Sequence, residues 1–126
     1  MRLLLDTHPF VWFLIDHKRI PGRLMTILTD PGHAVHVSAA AVWEATIKSG
    51  LGKLSLPLDR LEAVIGEAGF LTLPVTIAHG LEVRNLPPLY RDPFDRLLIA
   101  QARFERMTLV TRDATIRRYP IDTLWE

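Results

Sequence analysis

Four carboxylates stand at informative places in this 126-residue chain: Asp6, Glu44, Asp95 and Asp113. Asp6 closes the apolar run of Leu3, Leu4 and Leu5, and Asp113 lies just past Thr108 to Thr111, a second strand-like run. In open parallel sheets ligands bind just beyond the carboxyl ends of strands, where both aspartates would sit. Glu44 falls within the helix after a further strand, and Asp95 in the first turn of the helix leading toward Asp113. Both helices begin near the same sheet edge, so the four acids can converge on one crevice. Two like charges about 5 Å apart repel by roughly 3 kcal/mol at an effective dielectric near 20. A divalent cation reverses that repulsion. With no cysteine in the chain, any metal must sit on oxygen or imidazole, and hard Mg²⁺ or Mn²⁺ prefers carboxylate and water oxygens. Such an ion activates water and stabilises charge developing on a phosphoryl oxygen, which points to phosphodiester hydrolysis.

Within this set, Asp6 and Asp95 are the expected direct metal ligands, one fixed by a central strand and the other by a helix start. Glu44 has a longer side chain and a possible partner in Lys48, so it and Asp113 are expected to act through metal-bound waters and the field of the pocket. Each acid also has a purely structural alternative. Asp6 can serve as a turn residue before Pro9, and Glu44 can form an i,i+4 surface pair with Lys48 worth about 0.2–0.5 kcal/mol. Asp92 can cap a helix that has Pro93 at its first position, leaving Asp95 to favour the helix dipole. Asp113 can cap a turn over residues 114–118. Thr111 offers a hydroxyl to the site or simply fills a strand position. His8 more plausibly caps the helix or borders the pocket than ligates metal; His33, His36 and His79 show no ligand spacing. Trp12 and Trp43 read as core or interface anchors.

The elements that must position these groups follow from pattern. Strands are expected over residues 2–5, 34–37, 71–75, 108–111 and 121–125. Between them fall helices through Phe10 to Ile15, from Pro21 to the Asp30-Pro31-Gly32 breaker, over 39–49 with Ser38 as N-cap, over 57–69, over 77–85 and over 93–107. Strands alternating with helices predict a parallel sheet covered on both faces, an α/β sandwich. There is no repeat, low-complexity tract or linker, and one domain over 1–126 is expected. The chain is 48% hydrophobic and 23% charged, which is ordinary globular usage. With no apolar run near 20 residues and no signal pattern, a cytoplasmic location is expected. Net charge is +1, yet Arg91 to Arg118 holds seven arginines against four acids, and 12 of the 15 basic residues are Arg. The flat guanidinium fork suits phosphate, although a solvated helix face reads the same way.

Four segments together carry a resemblance: Leu3-Leu-Leu-Asp6-Thr-His, Ser38-Ala-Ala-Ala-Val-Trp-Glu44-Ala-Thr-Ile-Lys48, Asp92-Pro-Phe-Asp95-Arg-Leu-Leu-Ile-Ala-Gln-Ala102 and Leu109-Val-Thr-Arg-Asp113. In this order and spacing, the chain resembles PIN domains over nearly its whole length, specifically toxins of the VapC type. The resemblance implies a three-layer α/β/α sandwich with a five-stranded parallel sheet, Mg²⁺ or Mn²⁺ at the acidic cluster, endonucleolytic cleavage of RNA, homodimers and inhibition by a cognate antitoxin. An inhibitor helix would use exposed helices around Trp12 and Trp43. The family's four acids map onto Asp6, Glu44, Asp95 and Asp113, and Asp92 also falls on a recurring position. Pro9-Phe10 departs from the aliphatic pair common in relatives, which bears on helix entry rather than chemistry. A phosphatase of the haloacid dehalogenase type would need an acid where His8 stands. A receiver-like domain would need one after the third strand, where Thr76 and Ile77 stand. A catalytically silent PIN-like binding module is the remaining alternative.

Overall fold

The computed structural model describes all residues, 1–126. Leucines 3, 4 and 5 are wholly buried on both sides of strand β1 (Arg2–Leu5), and a strand buried on both faces belongs in the middle of a covered sheet. β1 pairs in parallel with β2 (Ala34–Ser38) on one side and with β4 (Thr108–Val110) on the other. The edges are β3 (Leu71–Leu73), beside β2, and the two-residue β5 (Thr123–Leu124), beside β4. The sheet is parallel throughout, in the order β3-β2-β1-β4-β5.

Alternation along β1 feeds two cores. Leu3 and Leu5 join Val35, Val37 and Val110 under α1 (Thr7–Ile15), α2 (Gly22–Thr29) and α4 (Leu61–Glu67). Leu4 and Leu109 face the opposite way, under α3 (Ala39–Gly50) and α6 (Pro93–Glu105), with α5 (Ile77–Glu82) packed on α6. The three-layer α/β/α architecture expected from the sequence is therefore present. Truncating a leucine at such fully enclosed positions typically costs about 2–5 kcal/mol.

Several elements differ from their expected spans. The helix expected over 57–69 opens as a 3₁₀ turn, Leu58–Arg60, because Arg60 N–H reaches back to Pro57 O and Leu61 N–H to Leu58 O. It ends at Glu67, two residues before Gly69, whose φ of +79° is a left-handed geometry that glycine adopts without penalty. The third strand ends at Leu73 rather than Val75 because Pro74 has no N–H for a ladder bond. The helix expected over 77–85 splits into α5 and the 3₁₀ turn Val83–Asn85. α1 begins at Thr7, with Asp6 rather than a later residue as its N-cap.

Candidate active site

The strand order reverses between β1 and β4: the chain builds outward through β2 and β3 on one side, then returns to β4 and β5 on the other. The crevice at such a switch point is where open α/β sheets bind ligands. Register pairs Leu5 with Val110, so the next residues, Asp6 and Thr111, emerge side by side. Asp6 N–H still donates to Val110 O at 3.0 Å. Asp6 Oδ1 accepts from Thr7 N–H and Oδ2 from the Thr111 hydroxyl, each at 2.8 Å. Thr111 Oγ1 in turn accepts Asp113 N–H at 3.1 Å. Thr7 then bridges to the neighbouring helix: its hydroxyl donates to Glu44 Oε1 at 2.7 Å. Glu44 Oε2 pairs with Lys48 Nζ at 2.9 Å. The i,i+4 pair expected on a helix surface exists, but it reaches a carboxylate that is only 6% exposed, beside an Asp6 that is 4% exposed.

At the start of α6, Asp92 Oδ1 accepts Phe94 N–H at 2.8 Å and Asp95 N–H at 3.3 Å, with Pro93 supplying the first turn. This is the capping role expected of Asp92, and it leaves Asp95 free of capping work. Asp113 does cap its turn, accepting Thr115 N–H at 2.8 Å and Ile116 N–H at 3.1 Å on Oδ1. Its Oδ2 accepts the Tyr90 hydroxyl at 3.0 Å. Of the four acids, Asp95 alone has no donor on its carboxylate: burial and the charges of Asp6, Asp92, Glu44 and Asp113, in that order, all push its pKa upward, and nothing opposes them.

The result is a carboxyl titrating near 7 instead of 3.8. Asp6 is also raised, by burial above all, against the hydrogen bonds of Thr111 and Thr7 and the charge of His8; Glu44 adds to the rise. The bond to Asp113, reinforced by burial and by the acids around it, lifts Tyr90 to about 12, so its hydroxyl remains a donor at neutral pH. The sequence-derived acids are thus brought into one electrostatic cluster that also includes Asp92. No three His, Cys, Asp or Glu side chains are arranged to hold a metal by themselves. An open site of this kind suits a small hard cation that keeps several waters and takes one or two carboxylates, and the unmatched negative charge around Asp95 is what such a cation offsets.

Two contributors escaped the sequence reading. Thr7 joins Asp6 to Glu44, and its signal was its place directly after the strand-end acid. Tyr90 sits in the Pro87 to Arg91 loop, which has no periodicity to mark it. That loop is clamped by Arg96, which donates to Val83 O, Pro87 O and Tyr90 O at 3.2–3.4 Å. Arg96 and Arg103, the latter 3.0 Å from Glu82, are thereby committed within the fold and leave the group of arginines expected to meet phosphate. Trp12 is 8% exposed, so the expectation of an exposed face there is wrong: His8, Arg19, Arg112 and Trp125 pack around the ring. Trp43 is 61% exposed and meets Phe94 edge-on at 5.0 Å. His79, given no role from sequence, is buried in a polar network described below. A concavity of about 1070 Å³ runs along α3, α4 and the β3 edge, and none of these acids lines it. We place the chemistry at the acids nonetheless, since the concavity is mainly apolar and its only titratable lining is Asp59 and Glu62. No helix is long and apolar enough to cross a membrane.

Comparison with known proteins agrees with this geometry. No protein of curated function matches the sequence. Among solved structures, the fold is similar to VapBC2 from Rickettsia felis bound to a DNA fragment from its promoter (18% identity, 100% of both chains, TM-score 0.74). It is also similar to DNA-bound VapBC from Salmonella typhimurium (17% identity, 98% of this chain and 97% of that one, TM-score 0.69). FitAcB from Neisseria gonorrhoeae matches as well (21% identity, 97% and 96%, TM-score 0.63). These likenesses are likenesses of fold. The sequence model of the PIN domain matches residues 3–122, and the chain accordingly belongs to the PIN domain family, whose members are in general nucleases.

Proposed function

We propose that residues 1–126 form a single nuclease domain that hydrolyses RNA phosphodiester bonds with Mg²⁺ or Mn²⁺, acting in the cytoplasm as the toxin of a type II toxin–antitoxin pair. The observation that carries this reading is Asp95: a carboxylate with no donor, raised to about 7 in the midst of Asp6, Asp92, Glu44 and Asp113. A divalent cation at that point would supply Lewis acidity, making water nucleophilic near neutral pH and offsetting charge on the phosphoryl oxygens.

Asp6 and Asp95 are the residues we assign as ligands. Both Asp6 oxygens already accept a hydrogen bond, which fixes the plane of the carboxylate and supports a ligand of defined direction. Glu44, held by Thr7 and Lys48, and Asp113, held by Tyr90 and two backbone amides, have fixed orientations and would accept protons or hydrogen bonds from water if a cation were bound there. Arg91, Arg112, Arg117 and Arg118 are exposed, and cationic rims of this kind draw in a polyanion. Cleavage of RNA should be lost in EDTA and restored by Mg²⁺ or Mn²⁺. Cleavage that persists in chelator overturns the metal mechanism, and failure to cleave with either ion leaves a silent PIN-like binding module.

The similar structures from Rickettsia, Salmonella and Neisseria belong to two-component complexes, which supports the antitoxin part of the reading. The groove of about 1070 Å³, walled by Val42, Leu61, Ile65 and Phe70, has the apolar character that an amphipathic antitoxin helix requires. A homodimer of the toxin is part of the same proposal. Co-expression with the neighbouring open reading frame should yield a complex that co-purifies and no longer cleaves.

A further inference from the structure

Beside the acidic crevice lies a cationic group that the metal chemistry does not use. Arg112 stands between Thr111, whose hydroxyl bonds Asp6, and Asp113. It is exposed, yet its guanidinium does not turn toward any of the adjacent carboxylates. It lies over the Trp12 ring, 4.6 Å from the centroid, within the range of a cation–π contact. His8 also stacks with that indole, centroids 5.8 Å apart with 27° between the planes. Trp125 braces the ring edge-on at 5.8 Å. Trp12 is itself part of the core under α1, so the platform is anchored.

This arrangement sets Arg112 apart from the other free arginines of the rim. Arg19 also lies over Trp12, at 5.4 Å, but it is paired with Asp16 at 3.4 Å. Arg117 and Arg118 lie in the turn after Asp113 with no ring beneath them. Arg112 forms no hydrogen bond or ion pair within the fold, so its N–H donors are open, and the guanidinium fork matches two oxygens of a phosphate.

Building on the nuclease reading above, we propose that Arg112, held over the Trp12 ring, is a phosphate-binding residue that grips a phosphodiester of the RNA backbone next to the one being cut, and so sets how the strand crosses the acidic crevice. Because phosphates carry no sequence, the grip acts alike on every RNA. It contributes to binding of ground and transition states equally, and its loss should appear in KM more than in kcat.

The test is steady-state cleavage of a fluorescent mixed-sequence single-stranded RNA by purified full-length protein in Mg²⁺, at several salt concentrations. Arg112→Gln should raise KM about tenfold with kcat little changed. The slope of log KM against log salt should fall by about 0.7, one phosphate's worth on a single strand. Arg112→Lys, which keeps the charge but loses the fork, should keep the slope and recover part of the KM. The melting temperature of both variants should fall by no more than a few degrees, the loss of a single cation–π contact at an exposed side chain. Wild-type kinetics and an unchanged salt slope in Arg112→Gln overturn this proposal while leaving the nuclease reading intact, as does a defect confined to kcat or to particular sequences. If the wild type itself cleaves no RNA in Mg²⁺ or Mn²⁺, the nuclease reading falls and this proposal with it.

Discussion

Two polar constellations in this molecule draw on α6 and are left in opposite states. At the carboxyl ends of β1 and β4, Asp6, Glu44, Asp92, Asp95 and Asp113 crowd together and Asp95 finds no donor. Under α5 and α6, by contrast, every group is matched. The Ser38 hydroxyl donates to Gln101 Oε1 at 2.6 Å, and Gln101 Nε2 donates to Pro74 O at 3.2 Å. Thr76 N–H donates to His79 Nδ1 at 3.1 Å, which places the imidazole proton on Nε2, 3.0 Å from Glu105 Oε2. The His79 N–H returns to Thr76 Oγ1 and completes a capping box. Polar burial is tolerable when each group has its partner, and the second network meets that condition using only the chain. The first does not, and in the function proposed above a divalent cation would be its partner.

Removing a carboxylate and removing the amide of Gln101 should therefore have opposite signatures. Asp6→Asn and Asp95→Asn keep shape and lose a carboxylate charge; on the proposed ligand roles, cleavage should drop by at least about 100-fold, beyond the range typical of outer-sphere partners, with circular dichroism unchanged. Thr111→Val deletes only the hydroxyl that fixes Asp6 Oδ2 and should cost about 10- to 100-fold in kcat. Gln101→Leu should do the reverse: a loss of about 1–3 kcal/mol in denaturant unfolding, from the buried partners it strands, with kcat preserved in the folded fraction. If Gln101→Leu silences cleavage without lowering stability, the division between the two networks is wrong.

The smallest effect expected is one of pH. In metal-free protein the Asp95 carboxyl titrates near 7, against 3.8 for the group when unperturbed. Between those values the folded state holds a proton that the unfolded chain has released, so stability should fall as pH rises from about 4 to about 7 and level off above. The slope should be shallow because water reaches the group, absent in Asp95→Asn, and suppressed by Mg²⁺, which takes the proton's place. Melting curves in EDTA across that range, for the two proteins, show whether it is.

Much of this was legible in the chain because the informative residues sit at element ends. Leu3 to Leu5 followed by Asp6 announces a central strand and its functional tip, and Asp92-Pro93 announces the start of α6. What the sequence concealed was made by contacts across elements. Thr7 joins Asp6 to Glu44 over 37 positions, and Tyr90 reaches Asp113 over 23; neither spacing has a period. His79 looked idle because its partners, Gln101 and Glu105, lie on another helix, although Thr76 three residues before it has the spacing of a capping box. Trp12 read as a core or an interface anchor, and only the fold decides for the core, with Arg112 and Trp125 packed on the ring.

The claim at the centre of this account is that a divalent cation completes the charge balance around Asp95. Thermal melting of wild type and Asp95→Asn, each in EDTA and in saturating Mg²⁺, tests it without relying on any RNA. A ligand that binds only the folded state at about a hundredfold excess over its Kd adds about 2.7 kcal/mol, or roughly 10 °C for a chain of this size. The account predicts that shift in the wild type, little or none in Asp95→Asn, and a variant at least as stable as the wild type in EDTA. Equal Mg²⁺ shifts in the two proteins, or none in the wild type, would contradict it.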